Sequence, residues 1–227
     1  MVAFGLLCGL SIIFSGLQTN AQQRAEEDKR IMDFFLAAQS NESGGILLGL
    51  DQGVPDDSRY ANDRKALMIA THANAIDAAR VLIGAGADVN AKDDLEDSAY
   101  LYAGAEGRLE ILKMTVAAGA DLGSVNRYGG TALTPAAHHG HVDVVSYLLT
   151  TNVDVDQVNF LGWTALLEAV ILGDGGPTYQ KIVELLLKGG ADPTIGDNQG
   201  ITPLEHARAG QMDQIARLLE LAVERND

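Results

Sequence analysis

Few residues in this chain have types and spacing that could do chemistry. Three imidazoles, His138, His139 and His141, crowd one short stretch, and imidazole is a common metal ligand and proton carrier. On a helix, adjacent His138 and His139 would point about a third of a turn apart. No nearby sequence supplies a carboxylate or thiolate to complete a site. His72 and His206 stand alone and read as solvated or packed side chains. Ser98 and Ser124 lack the G-x-S-x-G frame of a hydrolase nucleophile. The 25 glycines include no phosphate loop of the G-x-x-x-x-G-K-[ST] type. Paired acids at Asp56-Asp57 and Asp93-Asp94 fall in connecting segments, where aspartate stabilises turns. No acid, base, nucleophile or metal set assembles. The expectation is therefore a protein that is not an enzyme, with no cofactor and no small-molecule substrate.

Charge narrows the choice of partner. Against 31 acidic residues stand 16 Lys and Arg, a formal charge of −15, which excludes a sequence-independent grip on nucleic acid and disfavours anionic lipid. A single cysteine, Cys8, excludes an intramolecular disulfide and any site built from several thiolates. Apolar residues make up 47% of the chain, enough for a core, whereas aromatics make up 5%, so an exposed aromatic carries information.

Met1 to Leu17 is almost wholly apolar, and no charged side chain occurs before Arg24. The run is at the short limit for a membrane-spanning helix and fits the apolar region of a secretory signal better, although no Lys or Arg precedes it. Thr19-Asn20-Ala21 offers a cut site, so residues 1–21 read as a signal peptide and 22–26 as a linker. The expected location is periplasmic or secreted. The alternative is a membrane anchor left uncut, in which Arg24, Lys29 and Arg30 would hold the rest of the chain in the cytoplasm.

The elements that must position any site repeat along the chain. Thr131-Ala-Leu and Thr164-Ala-Leu start 33 residues apart, and Thr202-Pro-Leu follows 38 later. Steps of 33 back from Thr131 reach Ser98, Lys65 and Met32. Gly86-Ala-Asp, Gly119-Ala-Asp, Asn152-Val-Asp and Gly190-Ala-Asp keep the same phase. Thr131, Thr164 and Thr202 stand where a hydroxyl can cap a helix, and Thr202-Pro-Leu-Glu spells a capping box. Val144, Val145, Leu148 and Leu149 share one helical face. Paired alanines such as Ala136-Ala137 permit close helix approach, and Gly86, Gly119 and Gly190 stand where helices end with positive φ.

This pattern resembles the ankyrin repeat, most clearly over 126–158 with Gly129-Gly-Thr-Ala-Leu, Ala136-Ala-His-His-Gly-His and Val144-Val-Ser-Tyr-Leu-Leu. The resemblance implies an all-α solenoid of stacked helix-turn-helix units with short β-finger connections. Six units fall at about 27–59, 60–92, 93–125, 126–158, 159–196 and 197–227, forming one repeat domain over 27–227. The first and last read as caps, and the additional residues near Asp174-Gly-Gly-Pro-Thr178 read as a surface insertion between two helices.

The family likeness further implies a monomeric module that holds a protein partner in a concave groove lined by fingers and first helices. By register, the third unit offers an acidic stretch with Asp94, Leu95, Asp97, Ala105 and Glu106. The fourth offers Arg127, Tyr128, His138 and His139, and the fifth Phe160, Leu161, Trp163, Ile171 and Leu172. The fourth and fifth sets are the candidate protein-binding residues. Buried aromatic and arginine anchors commonly dominate such interfaces, at about 2 kcal/mol or more each. Exported bacterial members of the family suggest a second role, an envelope accessory that supports peroxide protection or neutralises a toxin without its own catalysis.

Overall fold

The computed structural model describes residues 3–55 and 58–226, with side chains for 20–55 and 58–225. Cys8 and Asp56-Asp57 lie outside what is described at the side-chain level. Among the described residues twelve α-helices form six pairs: α1 (Ala3–Gln39) with α2 (Ser43–Asp51), α3 (Ala66–His72) with α4 (Ile76–Gly84), and α5 (Ala99–Ala105) with α6 (Leu109–Ala117). Then come α7 (Leu133–His138) with α8 (Val142–Leu148), α9 (Ala165–Ile171) with α10 (Pro177–Lys188), and α11 (Pro203–Ala209) with α12 (Asp213–Asn226). No strand forms among the described residues. The fingers are loops, with isolated bridges at Tyr60–Arg64 and Lys92–Ser98. Among the described residues no helix is long and apolar enough to cross a membrane.

Helices α3 to α9 have only six to nine residues, below the roughly 12–15 that an isolated helix needs in water. Their stability comes from neighbours. Odd-numbered helices pack side by side in one layer and even-numbered helices in a second. The core lies between and within these layers. Ala70, Ala103, Ala136, Ala169 and Ala207 recur at the same place in successive first helices, and all are fully buried. Side chains this small bring the helix axes close. At Gly104 a Cβ would come within 2.7 Å of Ala132 Cβ, so the α5–α7 contact admits hydrogen alone. The second helices contribute the bulk: Ile111, Leu112, Val144, Val145, Leu148, Ile182 and Leu186 are all inaccessible to solvent.

Helix starts follow the threonine register with one exception. Thr164 accepts the Leu167 N–H, Thr202 forms the full capping box with Glu205 behind Pro203, and Ser98 caps α5 by accepting the Leu101 N–H. Thr131 does not cap α7. That helix starts behind Ala132, and the buried Thr131 hydroxyl has no partner. The N–H it would take belongs to Thr134, whose backbone is crowded by Pro135. The insertion in the fifth unit does fall between helices, at 172–176, and it precedes a longer second helix of 12 residues.

The first unit departs from a polar cap. Met32, Leu36, Leu47 and Leu48 are all exposed there, and only Ser40, Asn41 and Glu42 separate its helices. Asn41 ties it to the next unit, its side-chain oxygen accepting N–H groups of Asp77 and Ala78.

His72 ends α3 and stacks on Tyr102, ring centroids 3.6 Å apart. Its Nε2 is buried without a partner. Burial, then the charge of Arg64, lowers its pKa from 6.5 to about 4. A histidine held neutral in the fold but free to protonate when unfolded withdraws stability as pH falls from 6.5 toward 4. A His72→Phe variant keeps the ring stack and removes the proton site. Urea unfolding at pH 7 and pH 5 is expected to show the wild type losing roughly 2 kcal/mol more than the variant over that interval.

Candidate functional site

Four fingers share one hydrogen-bond scheme. Asp93, Asn126, Asn159 and Asp197 each donate a backbone N–H to the carbonyl four residues on. Each side-chain oxygen accepts N–H groups two and four residues ahead, as Asn159 does from Leu161 at 2.9 Å and Trp163 at 3.0 Å. The fourth residue of the loop has a left-handed backbone, supplied by Gly129, Gly162 and Gly200 and, at a conformational cost, by Glu96 with φ 62°. At Gly129 the space is also filled, since a Cβ would meet the Phe160 ring at 2.7 Å. Adjacent fingers are joined directly: Asp94 N–H donates to Asn62 O at 3.1 Å, and Phe160 N–H to Tyr128 O at 2.9 Å.

In three of the four loop residues, Asp93, Asn159 and Asp197, the second side-chain atom is matched to its neighbour. Asp93 Oδ2 accepts from Arg64 Nε at 3.1 Å, and Asp197 Oδ2 pairs with His206 Nε2 at 2.8 Å. Asn159 instead points its Nδ2 at Glu168, donating to Oε1 at 2.8 Å. Aspartate serves where the neighbour can be cationic, and asparagine where it is a carboxylate. Both members of the Asn159–Glu168 pair are buried, at 5% and 8% exposure.

Three fingers and helices α5, α7 and α9 enclose an open concavity of about 500 Å³. Of the nine residues expected to bind, Arg127, Tyr128, His138, His139, Leu161 and Leu172 line it together. Phe160, Trp163 and Ile171 do not. Phe160 is 76% exposed and covers Gly129 from outside the hollow, while Trp163 and Ile171 are half-buried. The acidic stretch contributes Leu95, Asp97, Ala105 and Glu106 to the same wall.

Electrostatics divide this wall. Arg127 lies 3.6 Å from Asp97 and its guanidinium sits 4.6 Å from the centre of the Tyr128 ring. Burial, with the charge of Asp93, raises the pKa of Asp97 above its ordinary value. Burial likewise raises that of Glu168, against the opposing effects of His139 and the Asn159 hydrogen bond. His138 is shifted down by burial and by His139, and its Nδ1 stands 3.8 Å from Glu168 Oε2.

The other two imidazoles bracket one carbonyl. His139 Nδ1 lies 2.7 Å and His141 Nε2 3.1 Å from Ala105 O, so each carries hydrogen at that nitrogen if it donates. These contacts join α7 to α5. Among the described residues no group of three or more His, Cys, Asp or Glu is arranged to hold a metal ion. The helix after the insertion also braces this wall: Tyr179 Oη of α10 donates to His138 O at 2.7 Å.

Sequence reasoning missed Glu168 and Asn159. A glutamate inside the apolar run Ala165–Ile171 is the signal that could have found the site, since a helix face that buries its other members leaves a charged one needing a partner.

A family model for ankyrin repeats in three copies matches residues 100–197, and one for a single ankyrin repeat matches 62–94. The crystal structure of an ankyrin repeat domain from Acinetobacter baumannii AYE superposes with a TM-score of 0.81 at 55% identity, covering 83% of this chain and 96% of that one. The chain belongs to the ankyrin-repeat family. EF0377, another ankyrin repeat protein of known structure, is 40% identical, with a TM-score of 0.80 over 84% of this chain and 97% of that one. YahD of Escherichia coli (strain K12), described as an ankyrin repeat protein, is 53% identical over 53 residues, which are 23% of this chain and 26% of that protein. The first and last helical pairs of this ankyrin stack lie outside the ranges matched by the family models.

An Asn159→Asp variant tests the matching of loop residue to neighbour. Its carboxylate keeps the two finger acceptors but faces Glu168. The expected cost is about 2 kcal/mol or more at pH 7 in urea unfolding. Two facing carboxylates have raised pKa values in the fold, so the penalty shrinks as pH falls to 5 and one of them takes a proton. An undiminished penalty at pH 5 would mean the loop itself was broken.

Proposed function

We propose that this ankyrin stack is a protein-binding module without catalysis of its own, and that it holds its partner in the concavity formed by units three to five. One observation carries the reading. Six side chains chosen by register, from two adjacent repeats, converge on a single hollow whose third wall comes from the acidic stretch of the repeat before them. Tyr128 and Leu161 are 55% and 52% exposed there, set among charged side chains, a composition that suits an interface. The frame beneath is fixed by buried alanines and hydrogen-bonded fingers, so a partner would meet a preorganised surface.

The apolar run before Thr19-Asn20-Ala21 supports placing the module outside the cytoplasm, with the mature chain starting at Gln22. N-terminal sequencing of the chain purified from fractionated cells checks this, and a first residue of Met1 would refute it.

Two double variants locate the binding surface. Tyr128→Ala with Leu161→Ala is expected to reduce partner capture about tenfold or more while the far-ultraviolet circular dichroism is unchanged. Phe160→Ala with Trp163→Ala, outside the hollow, is expected to reduce it less. The reverse order of effects would move the interface to the finger tips.

A further inference from the structure

We infer that the partner enters this hollow with an arginine or lysine side chain, which docks on the Glu168 carboxylate while its apolar neighbours cover the leucines of the wall. The inference rests on the proposed binding role of the same hollow and adds the chemistry of the occupant.

Glu168 is the observation that carries it. The side chain sits in the wall of the hollow yet is only 11% exposed. Asn159 Nδ2 holds Oε1, and among the described residues Oε2 accepts no hydrogen bond. The nearest basic group, His138 Nδ1, is 3.8 Å away, beyond hydrogen-bond reach. Its pKa is shifted down, so near neutral pH it supplies little charge. A carboxylate with one oxygen fixed and the other open to the hollow is a preorganised acceptor for a cation.

The surroundings agree in sign. Asp97 and Glu106 share the wall with Glu168, and the only arginine there, Arg127, is already engaged by Asp97 and the Tyr128 ring. The whole chain carries −15, so its long-range field also draws a basic segment and repels an acidic one. Leu95, Leu161 and Leu172 are exposed beside the charged groups. They give apolar residues flanking the cation somewhere to bury surface, which fits an extended protein segment or loop.

A displayed library of random peptides, panned on the full chain, tests this. Enriched peptides are expected to share an arginine or lysine with an apolar residue close by. Labelled copies should weaken about tenfold or more on Glu168→Gln. They should weaken similarly when the shared arginine becomes citrulline or the lysine becomes norleucine, and salt should weaken the basic peptide more than its neutral analogue. Glutamine keeps the acceptor for Asn159, and a thermal melt verifies the fold. If that variant does not fold, the citrulline or norleucine peptide on the wild type makes the same comparison.

Peptides that depend on Tyr128 and Leu161 but lack a basic residue, or ignore Glu168→Gln, would overturn the cationic anchor and leave the groove standing. Peptides indifferent to all of these substitutions would overturn both. Self-association in sedimentation velocity that Glu168→Gln abolishes would put a second copy's own basic residues in the hollow and overturn assignment to a foreign partner.

Discussion

Everything in this molecule depends on burial between repeats. Helices of six to nine residues cannot hold themselves in water, so each pair is helical only because its neighbours cover it. The fully buried alanines at 70, 103, 136, 169 and 207 set the distance at which this happens. A larger side chain at any of them would push adjacent first helices apart and weaken the inter-repeat contact on which the next unit relies. The architecture is one-dimensional, yet the hollow needs three consecutive units at their proper spacing.

On that frame the fingers are held by a local device. A carboxylate or amide oxygen at the loop's first residue takes two backbone N–H groups, which frees the intervening side chains to point outward. The same chemistry recurs where each second helix gives way to the next finger: Asp88, Asp121, Asp154 and Asp192 each accept an N–H two residues on. Much of the acidic composition is therefore structural. Asp88, Asp121 and Asp154 are exposed turn acids, whereas Glu168 is buried in a helix with one oxygen held by Asn159.

The histidine cluster shows how a motif and its surroundings divide the work. His139 and His141 converge on the carbonyl of Ala105, at the end of the preceding first helix, and join two repeats. His138, one residue earlier, turns instead toward Glu168 in the following repeat. Adjacent residues on a helix face different neighbours, so one short sequence stretch bonds to the unit before it and borders the site after it.

The chain's order along its length was legible from sequence alone, because a helical hairpin that must bury two faces imposes its period on the apolar residues, the caps and the positive-φ glycines. That reading matches the succession of helical pairs, the insertion at 172–176 and the Thr202 capping box. It overextended at Thr131, where Pro135 interferes with the hydroxyl's target; Phe160, Trp163 and Ile171 do not line the concavity. Only the tertiary structure could bring Asn159 and Glu168 together under three fingers and leave one carboxylate oxygen open. Periodicity specifies which face of a helix is inward, whereas the water and partners left to a single buried oxygen depend on neighbours 30 or more residues away.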